Sequence, residues 1–145
     1  MTHFRGRLRA AIRSALEAES ASFGGLTVLK SWGQDVDDKA LPAAGVFTPS
    51  EPSRLSSTDD LYRETVLVIQ LKREGGDDLE DLLDDDSDRI DGIVIGVLAE
   101  FPGEIIDSFH LANTTLEIEG AGAKRIGKLM MDFRVFRMTK EGQSE

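Results

Sequence analysis

The stretch Tyr62–Arg73 constrains the fold more than any other part of this sequence. Side chains of an extended chain alternate between two faces. Here Thr65, Leu67, Ile69 and Leu71 fall on one face, and Val66 and Val68 on the other. A strand that is apolar on both faces at its middle belongs inside a sheet rather than at its rim. Gly75-Gly76 ends the strand. A second long alternation runs over Lys128–Met138, where Leu129, Met131, Phe133 and Val135 interleave with Met130, Asp132, Arg134 and Phe136.

Around these strands the periodicity changes to that of a helix. From Thr2 to about Glu19, Phe4, Leu8, Ala11, Ile12, Ala15 and Leu16 recur at three and four residues and form one apolar face. The glycines at 24 and 25 suit a C-terminal turn. A second helix is expected from Asp77 or Asp78, either of which can cap it, to about Phe101. Its core face carries Ile90, Ile93, Val94, Val97 and Leu98, and Pro102-Gly103 stops it. Shorter strands are expected at Leu26–Trp32, Ala43–Thr48 and Leu111–Glu119. Gly33–Leu41 and Gly120–Gly127 read as loops, and Pro49–Asp60, rich in proline, serine and acid, as a long mobile one. The order α-β-β-β-α-β-β predicts an α+β domain. Both amphipathic helices pack on one face of a mixed, mostly antiparallel sheet of about four to five strands. One domain is expected over residues 1–145, ordered from about 2 to 138, with a frayed tail from Thr139 to Glu145.

Composition then removes several classes of function. With no cysteine, disulfides, thiolate metal sites and cysteine nucleophiles are excluded, and synthesis in a reducing host cytoplasm is compatible. No apolar run approaches 18 residues, so no membrane span is expected. Arg5, Arg7, Arg9 and Arg13 interrupt any signal-peptide core. The formal charge is −10, from 27 acidic and 17 basic residues, whereas a reader of nucleic acid displaces counterions with a basic stripe. Such a chain repels DNA rather than gripping it.

Four constellations carry chemical interest. Asp77–Asp91 holds nine acidic residues against the single basic Arg89, which invites a divalent cation. A calcium loop opening at Asp84 would need glycine sixth and glutamate twelfth, but Arg89 and Ile95 stand there. The acids read instead as a solvated helix face, favourable at a helix N-terminus by roughly 0.3–1 kcal/mol for a well-placed group. Gly122–Leu129 (GAKRIGKL) meets the first seven positions of a phosphate-binding loop. It has Leu129 where a magnesium-holding serine or threonine is required, and it joins two strands. His3 and His110 lie in no catalytic or metal-ligating pattern, so no cofactor, no metal and no enzyme activity are expected. Arg5, Arg9 and Arg13 stand at i, i+4 and i+8, where like charges repel by roughly 0.2–0.5 kcal/mol per pair. That arrangement fits an acidic partner surface. The Asp77–Asp91 segment (Asp84, Asp85 and Asp88) could supply it, in the same subunit or a neighbour. Otherwise the arginine stems simply cover apolar surface. Gly92 and Gly96 each cost about 0.8–1 kcal/mol in a helix interior. Close approach of another backbone would account for both, and drift at an exposed site is the alternative.

The succession of elements, with several local phrases, resembles the siphophage tail terminators, also called minor tail protein U. The phrases are Leu8–Glu17 (LRAAIRSALE), Phe23-Gly24-Gly25, Leu41–Thr48 (LPAAGVFT) with Glu51 after it, the acidic helix with Leu79, Leu82 and Leu83, and Asp132–Arg137 (DFRVFR). The likeness runs from about Phe4 to Met138. It implies a non-enzymatic virion protein at the head-proximal end of the tail. There a closed ring of subunits, expected to be a hexamer, caps the tube protein, stops its polymerisation and offers a docking surface to the head–tail connector or stopper. DNA would pass through the lumen without specific binding. A ring follows physically where a head-to-tail interface closes on rotation. On this reading Arg5, Arg9, Arg13, Asp84, Asp85, Asp88, Gly92 and Gly96 are subunit-interface candidates. Long polar loops on a rigid sheet commonly carry recognition. Glu51, Arg54, Asp59 and Asp60 in one loop, and Lys124 and Arg125 in the other, are therefore candidates for partner contact. Another head–tail joining protein, or a small acidic adaptor outside any virion, would suit the same composition.

Overall fold

The structure, a computed structural model, describes residues 3–30, 41–121 and 124–140, with residue 121 by its backbone alone. Helix α1 (Phe4–Ala18) is followed by a short 3-10 turn at Ser20–Phe23 and strand β1 (Thr27–Val28). Then come β2 (Ala43–Ser50), β3 (Ser53–Leu55), β4 (Asp60–Gly75), helix α2 (Leu79–Ala99), β5 (Ser108–Ala121) and β6 (Lys124–Lys140). These strands form one six-stranded sheet in the order β1-β2-β4-β6-β5, with β3 paired to the start of β4. Only β1–β2 is parallel. The domain is α+β as expected, but its sheet has six strands rather than four or five.

The central position of β4 follows from its sequence. It pairs with β6 from Asp60↔Lys140 to Gly75↔Arg125 and with β2 on its other edge. Leu67, Ile69 and Leu71 are completely buried under the helices, as are Leu129, Met131, Phe133 and Val135 of β6. Helix α1 covers them with Phe4, Leu8, Ile12 and Leu16, and α2 with Leu79, Leu83, Ile90, Val94 and Leu98. Full burial of each such side chain contributes about 1.5–3 kcal/mol. Gly127 lets α2 sit this low. A Cβ there would lie 2.6 Å from Leu83 Cδ1 and 3.2 Å from Leu79 Cδ2, both on buried side chains.

Among the described residues, the opposite face of the sheet carries no second layer. Val66, Gln70, Met130, Asp132, Arg134 and Phe136 are only half-buried, and Val68 is shielded by its sheet neighbours. β5 forms the outer edge; it pairs with β6 alone, and most of its side chains are exposed.

Several expected boundaries move. Pro49–Asp60 is not a long loop. β2 runs on to Ser50, Pro52 O accepts from the Glu64 amide at 2.9 Å, and β3 returns along β4 through a turn at Ser56–Asp59. Removing part of this segment would therefore take away sheet structure rather than a dispensable loop. The Gly120–Gly127 loop shrinks because β5 reaches Ala121 and β6 begins at Lys124. The expected strand at Leu26–Trp32 keeps only Thr27 and Val28, with Ser31 and Trp32 outside the described residues. Most of the Gly33–Leu41 loop and residues 141–145 of the tail also lie outside them. Thr139 and Lys140 are not frayed but close the end of β6. Asp78 occupies the N-cap of α2 without a side-chain capping bond. His3 does cap α1, its Nδ1 accepting from the Arg5 amide at 3.0 Å.

Candidate functional site

The arginine stripe lies on the flank of α1 that faces β2. Arg9 and Arg13 line a groove of about 470 Å³ together with Lys30, Val46, Phe47, Thr48 and Pro49. Arg9 Nη1 donates to Thr48 Oγ1 at 2.5 Å. Burial and the like charges of Arg13 and Arg5 hold the Arg9 guanidinium below its usual range. Neither Arg9 nor Arg13 has a carboxylate within ion-pair distance among the described residues.

The acidic surface lies elsewhere. Asp77, Asp78, Glu80, Asp81, Asp84, Asp85 and Asp88 are exposed along α2, and no ion pair ties them to α1 among the described residues. The expected contact between stripe and acids does not form inside one subunit. The reason is geometric: α2 lies against the other flank of α1. A groove of about 570 Å³ between the helices is lined by Ala15, Ala18 and Phe23 from one side and Asp88, Gly92 and Gly96 from the other. Gly92 and Gly96 are exposed, and a Cβ on either would meet nothing within 4 Å. No backbone of the same chain needs them.

The second set of candidates divides into pins and free groups. Arg125 points inward, Nη2 donating to Gly76 O at 2.8 Å. Asp59 and Asp60 both pair with Lys140 Nζ at 3.3 Å, which holds that ammonium above its usual value. Arg54 lies over the Tyr62 ring at 5.3 Å, and Lys124 is exposed. Glu51 is the residue most changed in meaning. It is the hub of a buried cluster rather than the tip of a loop. Its Oε1 accepts from Thr65 Oγ1 at 2.6 Å and from Arg137 Nη2 at 3.2 Å, and Oε2 lies 3.6 Å from Arg63 Nη1. Arg137 is completely buried, reaches Glu104 Oε1 at 3.0 Å and stacks over Phe4 at 3.8 Å. Arg7 closes the chain onto Glu104 Oε2 at 3.0 Å. Burial by itself would raise the Glu51 carboxyl. The hydrogen bonds from Thr65 and Arg137, with the charges of Arg137 and Arg5, outweigh that and hold it below the usual glutamate range.

The sequence reading did not find Arg137, Glu104, Arg63 or Arg7. A usable signal existed for Arg137. The inward phase of β6, through Met131, Phe133 and Val135, continues to Arg137 and Thr139. A second buried pair joins sheet to helices: Arg73 donates to both Asp86 oxygens, at 2.7 and 2.9 Å, and to Phe23 O at 2.7 Å. Asp86 thus leaves the acidic row to serve the core.

Chemically, these clusters are internal ion pairs that fix positions. No group of three metal-ligating side chains converges among the described residues. The segment resembling a phosphate-binding loop opens no helix, because Lys128 and Leu129 lie within β6. His110 stacks on Phe136 at 5.7 Å. No helix among the described residues is long and apolar enough to cross a membrane. The chain matches no model of a known protein family and none of the curated proteins compared with it.

Proposed function

We propose that this chain is a non-enzymatic structural subunit that closes head-to-tail into a ring and acts as a tail terminator. In that role it caps the tail tube, stops its growth and receives the head–tail connector. The observation that carries the assembling role is the one-sided sheet. β4, β6 and β5 are 16, 17 and 14 residues long. Among the described residues they keep one face without a covering layer, and β5 keeps a free edge. Long free edges invite pairing and are usually guarded. Here the interruption is a single register shift between Leu111 and Asn113. A subunit left open in this way is suited to completion by neighbours. The particular role rests on the succession of sequence phrases that resembles the tail terminators, joined to the mixed, mostly antiparallel sheet with helices packed on it that the resemblance implies.

The test is the mass and shape of the purified chain by native mass spectrometry and negative-stain microscopy. A closed hexameric ring is the expected result. A strict monomer or dimer would favour the adaptor reading. Within a particle, loss of the gene should give tails of uncontrolled length that fail to join heads. Normal tails without it would refute the terminator role.

A further inference from the structure

The chain carries an excess of acid, yet Arg9 and Arg13 sit together in a groove without a carboxylate partner among the described residues. Four other arginines meet carboxylates: Arg7 and Arg137 with Glu104, Arg63 with Glu51, and Arg73 with Asp86. Partial burial first, and then the like charges of Arg13 and Arg5, hold the Arg9 guanidinium below its usual range, so the grouped cations carry an electrostatic cost. That cost is relieved when an anionic surface enters the groove. The other end of the mismatch is on α2, where the exposed acids from Asp77 to Asp88 have no ion pair among the described residues. The two surfaces lie on separate parts of the helix layer, with α1 presenting its arginines toward β2 and its opposite flank toward α2.

We infer that the groove between α1 and β2 receives the acidic face of α2 from a second copy of this chain. This inference rests on the ring reading and supplies its contact. Because the two patches are displaced from each other, each copy can give its acidic face to one neighbour and accept that of another, a head-to-tail contact that forms a ring where its rotation closes. Val46, Phe47 and Pro49 add apolar lining beside the arginines. Ion pairs formed against that lining would be less hydrated, and worth more, than fully exposed pairs.

The experiment compares the wild-type chain with Arg9→Glu/Arg13→Glu, with Asp84→Lys/Asp88→Lys, and with all four changes together, using native mass spectrometry and sedimentation. Circular dichroism verifies the fold of each. Either charge-reversed variant should need at least about tenfold more protein to assemble, and the combined variant should recover assembly, as coupled charge pairs across an interface do. Wild-type assembly should also weaken as salt rises to about 1 M, where the screening length falls to about 3 Å. If the wild type forms rings and both reversed variants form them equally well, this contact is wrong and the ring reading stands. Reversed variants that fail without recovery in the combined variant also overturn the pairing. If a variant does not fold, wild-type rings that resist high salt overturn it. A wild-type chain that never assembles overturns contact and ring together.

Discussion

Replacing Gly92 and Gly96 by alanine should make the isolated subunit more stable. Both positions lie well inside α2, a 21-residue helix, and both are solvent-exposed. Alanine forms helix better than glycine because it restricts the unfolded chain, and the gain at a compatible site is about 0.4–1 kcal/mol. The structure shows that both sites are compatible, since a Cβ at either meets no atom within 4 Å. Gly92→Ala/Gly96→Ala should therefore add roughly 1–2 kcal/mol, or about 3–7 °C in melting temperature for a domain of this size. Urea denaturation at a concentration where the chain is monomeric measures this directly, with an unchanged denaturant slope showing that the same surface unfolds. A stability change below about 0.3 kcal/mol, or a loss, would refute the claim that no native contact depends on these glycines. The same variant probes their role in assembly. If a neighbour's backbone approaches α2 there, the stabilised subunit should assemble less well than the wild type.

Gly127→Ala should act in the opposite direction, since its Cβ would press on the buried Leu83 and Leu79; overpacking of this kind costs about 1–3 kcal/mol, read as a lower urea midpoint. Arg137→Ala would leave the Glu51 and Glu104 carboxylates buried without their shared guanidinium, a loss of about 3–5 kcal/mol by the same measurement. Thermal melts as a function of pH test Glu51. Because its folded pKa is depressed, its contribution is fully present above the unfolded value near 4.3 and is lost as pH falls through the lower folded value. Glu51→Gln should flatten the profile in that acidic window, and an unchanged profile would show that other carboxylates control acid stability.

The parts of the fold legible in sequence are those set by nearest-neighbour pattern. Phe4, Leu8, Ile12 and Leu16 had to share a helix face, and Leu67, Ile69 and Leu71 a buried strand face, because period alone assigns them. What escaped was held by partners far away in the chain. Glu51 looks like a loop acid among prolines and serines, and nothing near it announces Arg137, 86 positions on, or Thr65 across the sheet. The β2–β3–β4 turn escaped for the same reason, since β3 is entirely exposed and owes its extended form to pairing with Leu61, Tyr62 and Arg63. For the candidate interface, the two unlike surfaces were visible as charge runs. That they face apart was not, because only the packing of α1 against α2 separates them.

The position of β6 bears on the order in which this protein can take shape during synthesis. β6 follows β5 in the chain but stands between β5 and β4 in the sheet. A ribosome that has just released β5 therefore exposes a strand with nowhere to pair, and leaves Glu51 and Glu104 with Arg63 and Arg7 but without the arginine they share. Closing the sheet, joining β5 to it and linking the two carboxylates through Arg137 all await the same seventeen residues. A nascent chain stalled before Lys124 would be an open, negatively charged intermediate. Completion of β6 converts it in one step into the finished subunit.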